Sequence, residues 1–197
     1  MKSVGKAVFL AVLVGLGSGC GWRSIPQAFN SVEATLAEMT NQYKRRADLI
    51  PNLVATVKGY AEHESETLEA VISARAKATS MTIDPSNMNA EQIQQCQAAQ
   101  GGLSQALGRL MVVAEAYPNL KADRNFRELQ AQLEGTENRI TVARNRHIES
   151  IRNFNNLVTV PPESWTNSIF YNHEKMTQWT VDEGERGRNE VAPAVKF

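Results

Sequence analysis

The chain lacks any imbalance of charge: 21 lysines and arginines stand against 21 aspartates and glutamates in 197 residues, for a formal net charge of zero. Nucleic acid or a strongly anionic membrane surface finds no summed attraction here, so charge-driven binding has to be local. Aromatic residues are sparse and strand patterns are hard to find, while glutamine, alanine, glutamate and arginine recur as they do in long helices. There are two cysteines, Cys20 and Cys96, with no C-x-x-C pair. None of His63, His147 or His173 follows a glutamate by three residues, as a helical di-metal site requires. No nucleophile with its base, metal triad or phosphate loop stands out, so the sequence leads to a protein that is not an enzyme and uses neither cofactor nor metal.

What is present begins at the amino terminus. Lys2 and Lys6 precede an apolar run from Ala7 to Leu16, and Gly17-Ser18-Gly19 leads into Cys20. This is the three-part layout of a secretory signal. The run is about half the roughly 20 residues that a membrane-spanning helix needs. Small residues before a cysteine resemble the lipobox of bacterial lipoproteins, although Gly17 stands where that pattern prefers leucine and Leu16 lies one place early. Residues 1–19 are therefore expected to be a signal peptide, with Cys20 lipidated by palmitate-like acyl chains as the first mature residue. An uncleaved anchor is the alternative. Either way the chain is expected in the bacterial cell envelope, membrane-anchored and facing the periplasm or the exterior. Gly21 after Cys20 leans toward the outer membrane.

Beyond the anchor, Ile25, Phe29, Val32, Leu36, Met39, Tyr43, Ala47 and Ile50 form one helical stripe, with Ser24 placed to cap it and Pro26 in its first turn. The stripe resumes through Val54, Val57, Ala61, Leu68, Val71 and Ala78, with Arg75 on the same face. Pro51 kinks one helix or separates two. Asp84-Pro85-Ser86-Asn87 is turn chemistry, and Asn89 with Gln92 reads as a capping box. A helix with Ile93, Leu103, Leu107 and Leu110 follows and stops near Tyr117-Pro118. The last long helix runs from about Asp123 to Leu157 with Phe126, Leu133, Ile140, His147, Ile151 and Phe154 on one face. The expected fold is all-α, an elongated antiparallel up-and-down bundle of four helical segments. The bundle domain spans 20–160, and a mostly irregular segment, 161–197, packs on it through Trp165, Phe170, Tyr171 and Trp179.

Tyr43-Lys44-Arg45-Arg46-Ala47-Asp48-Leu49-Ile50-Pro51-Asn52-Leu53-Val54, followed by Val57-Lys58-Gly59-Tyr60-Ala61, resembles the signature of the LemA family of bacterial membrane proteins. Further blocks follow in the family's order: Ala106-Leu107-Gly108-Arg109-Leu110, Val113 to Pro118, Asn125-Phe126, and Leu133 to Ile140. Thr159-Val160-Pro161-Pro162 departs from the usual turn, and Ala192 to Phe197 matches loosely. The resemblance implies a membrane-held helical bundle and brings no established reaction or ligand with it.

Candidate interaction residues lie in these blocks. Lys44, Arg45, Arg46 and Asp48 are either a charged docking patch or a solvated face with local salt bridges. Glu134 and Glu137, with Glu115 in the neighbouring segment, offer carboxylates to a cation or a shared proton, but pairing of Glu137 with Arg109, Arg139 or Arg144 is the simpler expectation. Cys96 reads as a small buried thiol. Three functions follow in order: an adaptor binding another envelope protein, a sensory bundle with a site lined by Arg109, Glu134 and Glu137, and, last, a hydrolase.

Overall fold

The computed structural model describes residues 19–81 and 89–178. The expected signal segment up to Ser18, the 84–87 turn, Trp179 and the tail beyond it lie outside these residues. So does the side chain of Cys20, whose backbone belongs to the first helix.

The described residues are all helical in their regular structure: α1 Gly19–Lys58, α2 Ser65–Thr79, α3 Ala90–Ala114, α4 Pro118–Ala122, α5 Arg124–Thr159 and α6 Glu163–Thr166, then a π turn at Asn167–Tyr171. Six helices thus replace the four expected segments, because two proline-led single turns, α4 and α6, join the long ones. On α5 the buried residues Phe126, Leu133, Ile140, His147 and Phe154 recur at intervals of seven, as Ile25, Val32, Met39, Arg46 and Leu53 do on α1. A seven-residue repeat keeps one seam of each helix facing its partner. The two run in opposite directions, with Phe29 against Phe154, Glu38 on Arg146, Arg46 on Glu137 and Tyr60 on Asp123. The shorter α2 and α3 pack on the half of this hairpin beyond Arg46, and the start of α3 carries Ile93 and Cys96 into the nearer core. Asn89 opens α3 with both bonds of a capping box.

Both prolines of α1 lie inside the helix, which corrects the expectation that Ser24 and Pro26 start it. Proline has no N–H to give the carbonyl four residues back. That carbonyl belongs to Trp22 for Pro26 and to Ala47 for Pro51. Distant side chains supply both missing bonds: the Tyr171 hydroxyl donates to Trp22 O at 2.7 Å, and Arg75 Nε donates to Ala47 O at 2.8 Å. The arginine that interrupts the apolar stripe of α2 is therefore the partner that carries α1 through Pro51. Arg75→Met is expected to destabilise the fold by about 1–2 kcal/mol, since the half-buried carbonyl loses this replacement donor. In a Pro51→Ala background the restored N–H at position 51 should shrink that loss to under about 0.5 kcal/mol in urea unfolding. Equal losses in both backgrounds would mean that Arg75 acts through something else.

The reversal comes after Pro51 but before the stripe ends. Helix α1 ends at Lys58, and Tyr60 N and Ala61 N both close on Val57 O, so the pattern does not run on as one helix to Ala78. Long-range bonds fix this corner. Tyr60 donates to Asp123, the N-cap of α5, and Tyr117 donates to Glu64, each at 3.0 Å. The Phe126 N–H, then the Tyr60 hydroxyl, hold the Asp123 carboxyl below its ordinary pKa, while the same bond raises that of Tyr60.

In the described part of the C-terminal segment, asparagines tie the chain down as much as aromatics do. The Asn155 side chain pairs with the backbone of Met176 through bonds of 2.9 and 2.8 Å. Asn167 does the same with His173 at 2.9 and 3.0 Å. His173 stacks on Phe29 and Tyr171. Trp165, expected to pin the segment, instead projects outward at 65% exposure, and the bonds to Asn155 and Asn167 hold the backbone without it.

Candidate functional site

Two apolar cores divide the bundle. One holds Ile25 to Tyr43 of α1 with Ile140 to Val158 of α5, and the other holds Ile50 to Val57 with α2, most of α3 and the start of α5. Between them lies a polar layer to which each long helix contributes. Arg46 of α1 is only 2% exposed. Its Nη1 donates to Glu137 Oε2 of α5 at 2.6 Å and to Ser104 Oγ of α3 at 3.0 Å. Its Nη2 donates to the Gln100 side-chain oxygen and, at 3.4 Å, to the Gln100 carbonyl. Gln100 Nε2 in turn reaches Ala78 O at the end of α2, and Arg75 of α2 bonds Ala47 O beside the same layer. Thr136, next to Glu137 on α5, is 1% exposed and turns its hydroxyl back to Gln132 O within its own helix at 2.8 Å.

The block Tyr43–Asp48 therefore faces two ways. Arg46 points inward, which corrects its expected place on a solvated or docking face, while Lys44, Arg45 and Asp48 remain outside. The partner of Glu137 is Arg46 rather than Arg109, Arg139 or Arg144. The signal for this is in the sequence: position 46 continues the series 25, 32, 39, 46, 53, whereas the apolar stripe runs through its neighbour Ala47. The sensory site does not assemble, since Arg109 and Glu134 are exposed, Glu134 takes a bond from Gln130 at 3.1 Å, and Glu137 is closed on Arg46. Glu115 pairs with Lys121 on the surface. Among the described residues no three histidine, cysteine, aspartate or glutamate side chains gather where they could hold a metal ion.

On the outer side of the layer a groove of about 370 Å³ opens between α1, the end of α2 and α3. Ala47, Ala78, Cys96 and Leu103 give it an apolar floor, and Thr40, Lys44, Asp48 and Thr79 give it a polar rim. Lys44 and Asp48 stand one turn apart, so the rim offers one charge of each sign. Burial pushes the Cys96 thiol up, against the pull of Arg144, so the sulfur stays protonated and packs as a small apolar group. Burial likewise raises the Tyr43 hydroxyl, which lies by Arg144 and lines the same groove.

In the nearer core His147 is fully buried. Its Nδ1 lies 3.1 Å from Thr35 Oγ1, which is 2.8 Å from Ser150 Oγ, so a chain of hydroxyls links α1 to α5. Burial lowers the imidazole to about 4, so it is neutral at physiological pH.

Among the described residues no helix is long and apolar enough to cross a membrane. No curated protein matches the chain in sequence. Residues 35–197 match the model of the LemA family, a span that takes in the polar layer, the groove and the Tyr60–Asp123 corner, and the chain belongs to that family.

Proposed function

We propose that the protein is a non-catalytic docking protein of the bacterial cell envelope. In this reading it is an elongated antiparallel up-and-down bundle held at the membrane through its N-terminus, with lipid on Cys20, and its groove beside Tyr43–Asp48 receives a segment of another envelope protein. The groove is the observation that carries the reading. An apolar floor inside a rim of both charges suits a protein segment presenting an apolar side chain between polar ones. The polar layer behind it fixes the helices that form its walls, so the surface is built before any partner arrives.

A photo-crosslinking amino acid placed at Thr79 in intact cells tests this, with Gln132 of the shallow cleft between α1 and α5 as the comparison site. The expected result is a discrete adduct with an envelope protein from position 79 that disappears when Lys44→Glu and Asp48→Lys are combined. Adducts of equal yield from both positions, or an adduct that survives the charge exchange, would contradict docking in the groove.

A further inference from the structure

We propose that the end of the bundle formed by Trp22, Trp165, Ile169 and Phe170 is a bilayer contact, seated at the headgroup level of the membrane that holds the N-terminus. The proposal rests on the anchoring reading above and adds the surface that meets the lipid. These four residues are 54%, 65%, 73% and 57% exposed. Elsewhere exposed large apolar residues such as Ile72, Val112 and Val142 occur on separate helices, as on any soluble surface. Here they meet. The rings of Trp22 and Phe170 are 4.6 Å apart edge to face, and Tyr171 holds the two segments together through its bond to Trp22 O. Asn155 and Asn167 lock the segment behind them, so the aromatic end is presented by a fixed backbone.

The position of the patch in the chain identifies its occupant. Trp22 follows Cys20 by two residues in α1, about 3 Å of helical rise, and the apolar run Ala7–Leu16 comes just before. Acyl chains on Cys20 or a retained apolar segment would each hold Trp22 within a turn of the bilayer. Indole rings favour the boundary between headgroups and acyl chains, where the ring face is apolar and the N–H stays wet. Arg23, exposed on the next position, supplies a cation for lipid phosphate. With this end on the bilayer, the groove at Lys44 stands about 33 Å along α1 from the membrane contact, at 1.5 Å per residue.

The full chain, extracted from membranes and returned to phosphatidylethanolamine–phosphatidylglycerol vesicles, gives a direct test. Two single-tryptophan proteins are compared: Trp165→Phe with Trp179→Phe retains Trp22, and Trp22→Phe with Trp179→Phe retains Trp165. Each is read for flotation with the vesicles and for quenching by acyl chains brominated near the headgroup. Flotation with about twofold or greater quenching of both tryptophans is the expected result. Flotation without quenching would overturn the bilayer contact while leaving the anchor intact. Failure to float would overturn both.

Discussion

Arg46→Ala is expected to destabilise the protein by about 3–4 kcal/mol, more than loss of any exposed ion pair among the described residues. The side chain lies between two apolar cores and ties α1 to α3 and α5, so truncation leaves a cavity and strips Gln100 and Ser104 of their donor. The loss stays below the top of the range because Glu137 is 49% exposed and recovers water when its partner goes. Glu137→Ala should cost about 2–3 kcal/mol for the opposite reason: the buried guanidinium keeps neutral partners and loses its counter-charge. The pairs Lys121–Glu115 and Arg152–Glu149, with both partners exposed, are expected to contribute at most about 1 kcal/mol. Urea unfolding of Arg46→Ala, Glu137→Ala, Lys121→Ala and Arg152→Ala checks the order. If Arg46→Ala falls among the exposed pairs, the polar layer does not hold the bundle.

Stability should also fall as pH drops from 6.5 toward 4. His147 is neutral in the folded protein because burial lowers it to about 4, while in the unfolded chain it titrates near 6.5. The unfolded state therefore binds a proton first, and folding weakens through that interval by up to roughly 3 kcal/mol. Above pH 6.5 the two states carry the same charge at this position and the effect is absent. Asp123 acts lower on the scale: its carboxyl is held below the ordinary value, so its share is present above that value and is lost as pH falls beneath it. His147→Leu should flatten the loss between pH 6.5 and 4, and Thr35 and Ser150 keep their bonds to each other and to the backbone in its absence. Unfolding midpoints for both proteins at several pH values give the comparison. Equal pH dependence would show that the imidazole is not the titrating group.

Much of this architecture is legible in the sequence because most of its apolar residues obey the helical period. The stripes of α1, α3 and α5, the Asn89 capping box and the start of α5 at Asp123 are all where local pattern puts them. The corner after Lys58 is not, because no proline or Asn-Gly turn marks it. Bonds across 63 residues, from Tyr60 to Asp123, and across 53, from Glu64 to Tyr117, decide where the chain turns. Arg46 escaped for a related reason. A charged residue that directly follows two other basic ones, Lys44 and Arg45, reads as surface until the seven-residue series is extended through it. The roles of Arg75 and Tyr171 depend on which carbonyls the prolines leave open, and on which side chains the fold brings to them from 28 and 149 residues away.

The polar layer and the groove meet in one block of chain, and the measurement that joins them is the position-79 crosslink repeated in Arg46→Met. Methionine fills the space with apolar volume, so the protein should remain folded, with much of the alanine loss recovered. What it removes is the set of bonds that fixes α1 against α3 and α5, and with them the walls of the groove. A folded Arg46→Met protein whose adduct is lost or sharply reduced is the predicted result. An undiminished adduct would contradict the account, since the buried layer would then have no part in presenting the docking surface.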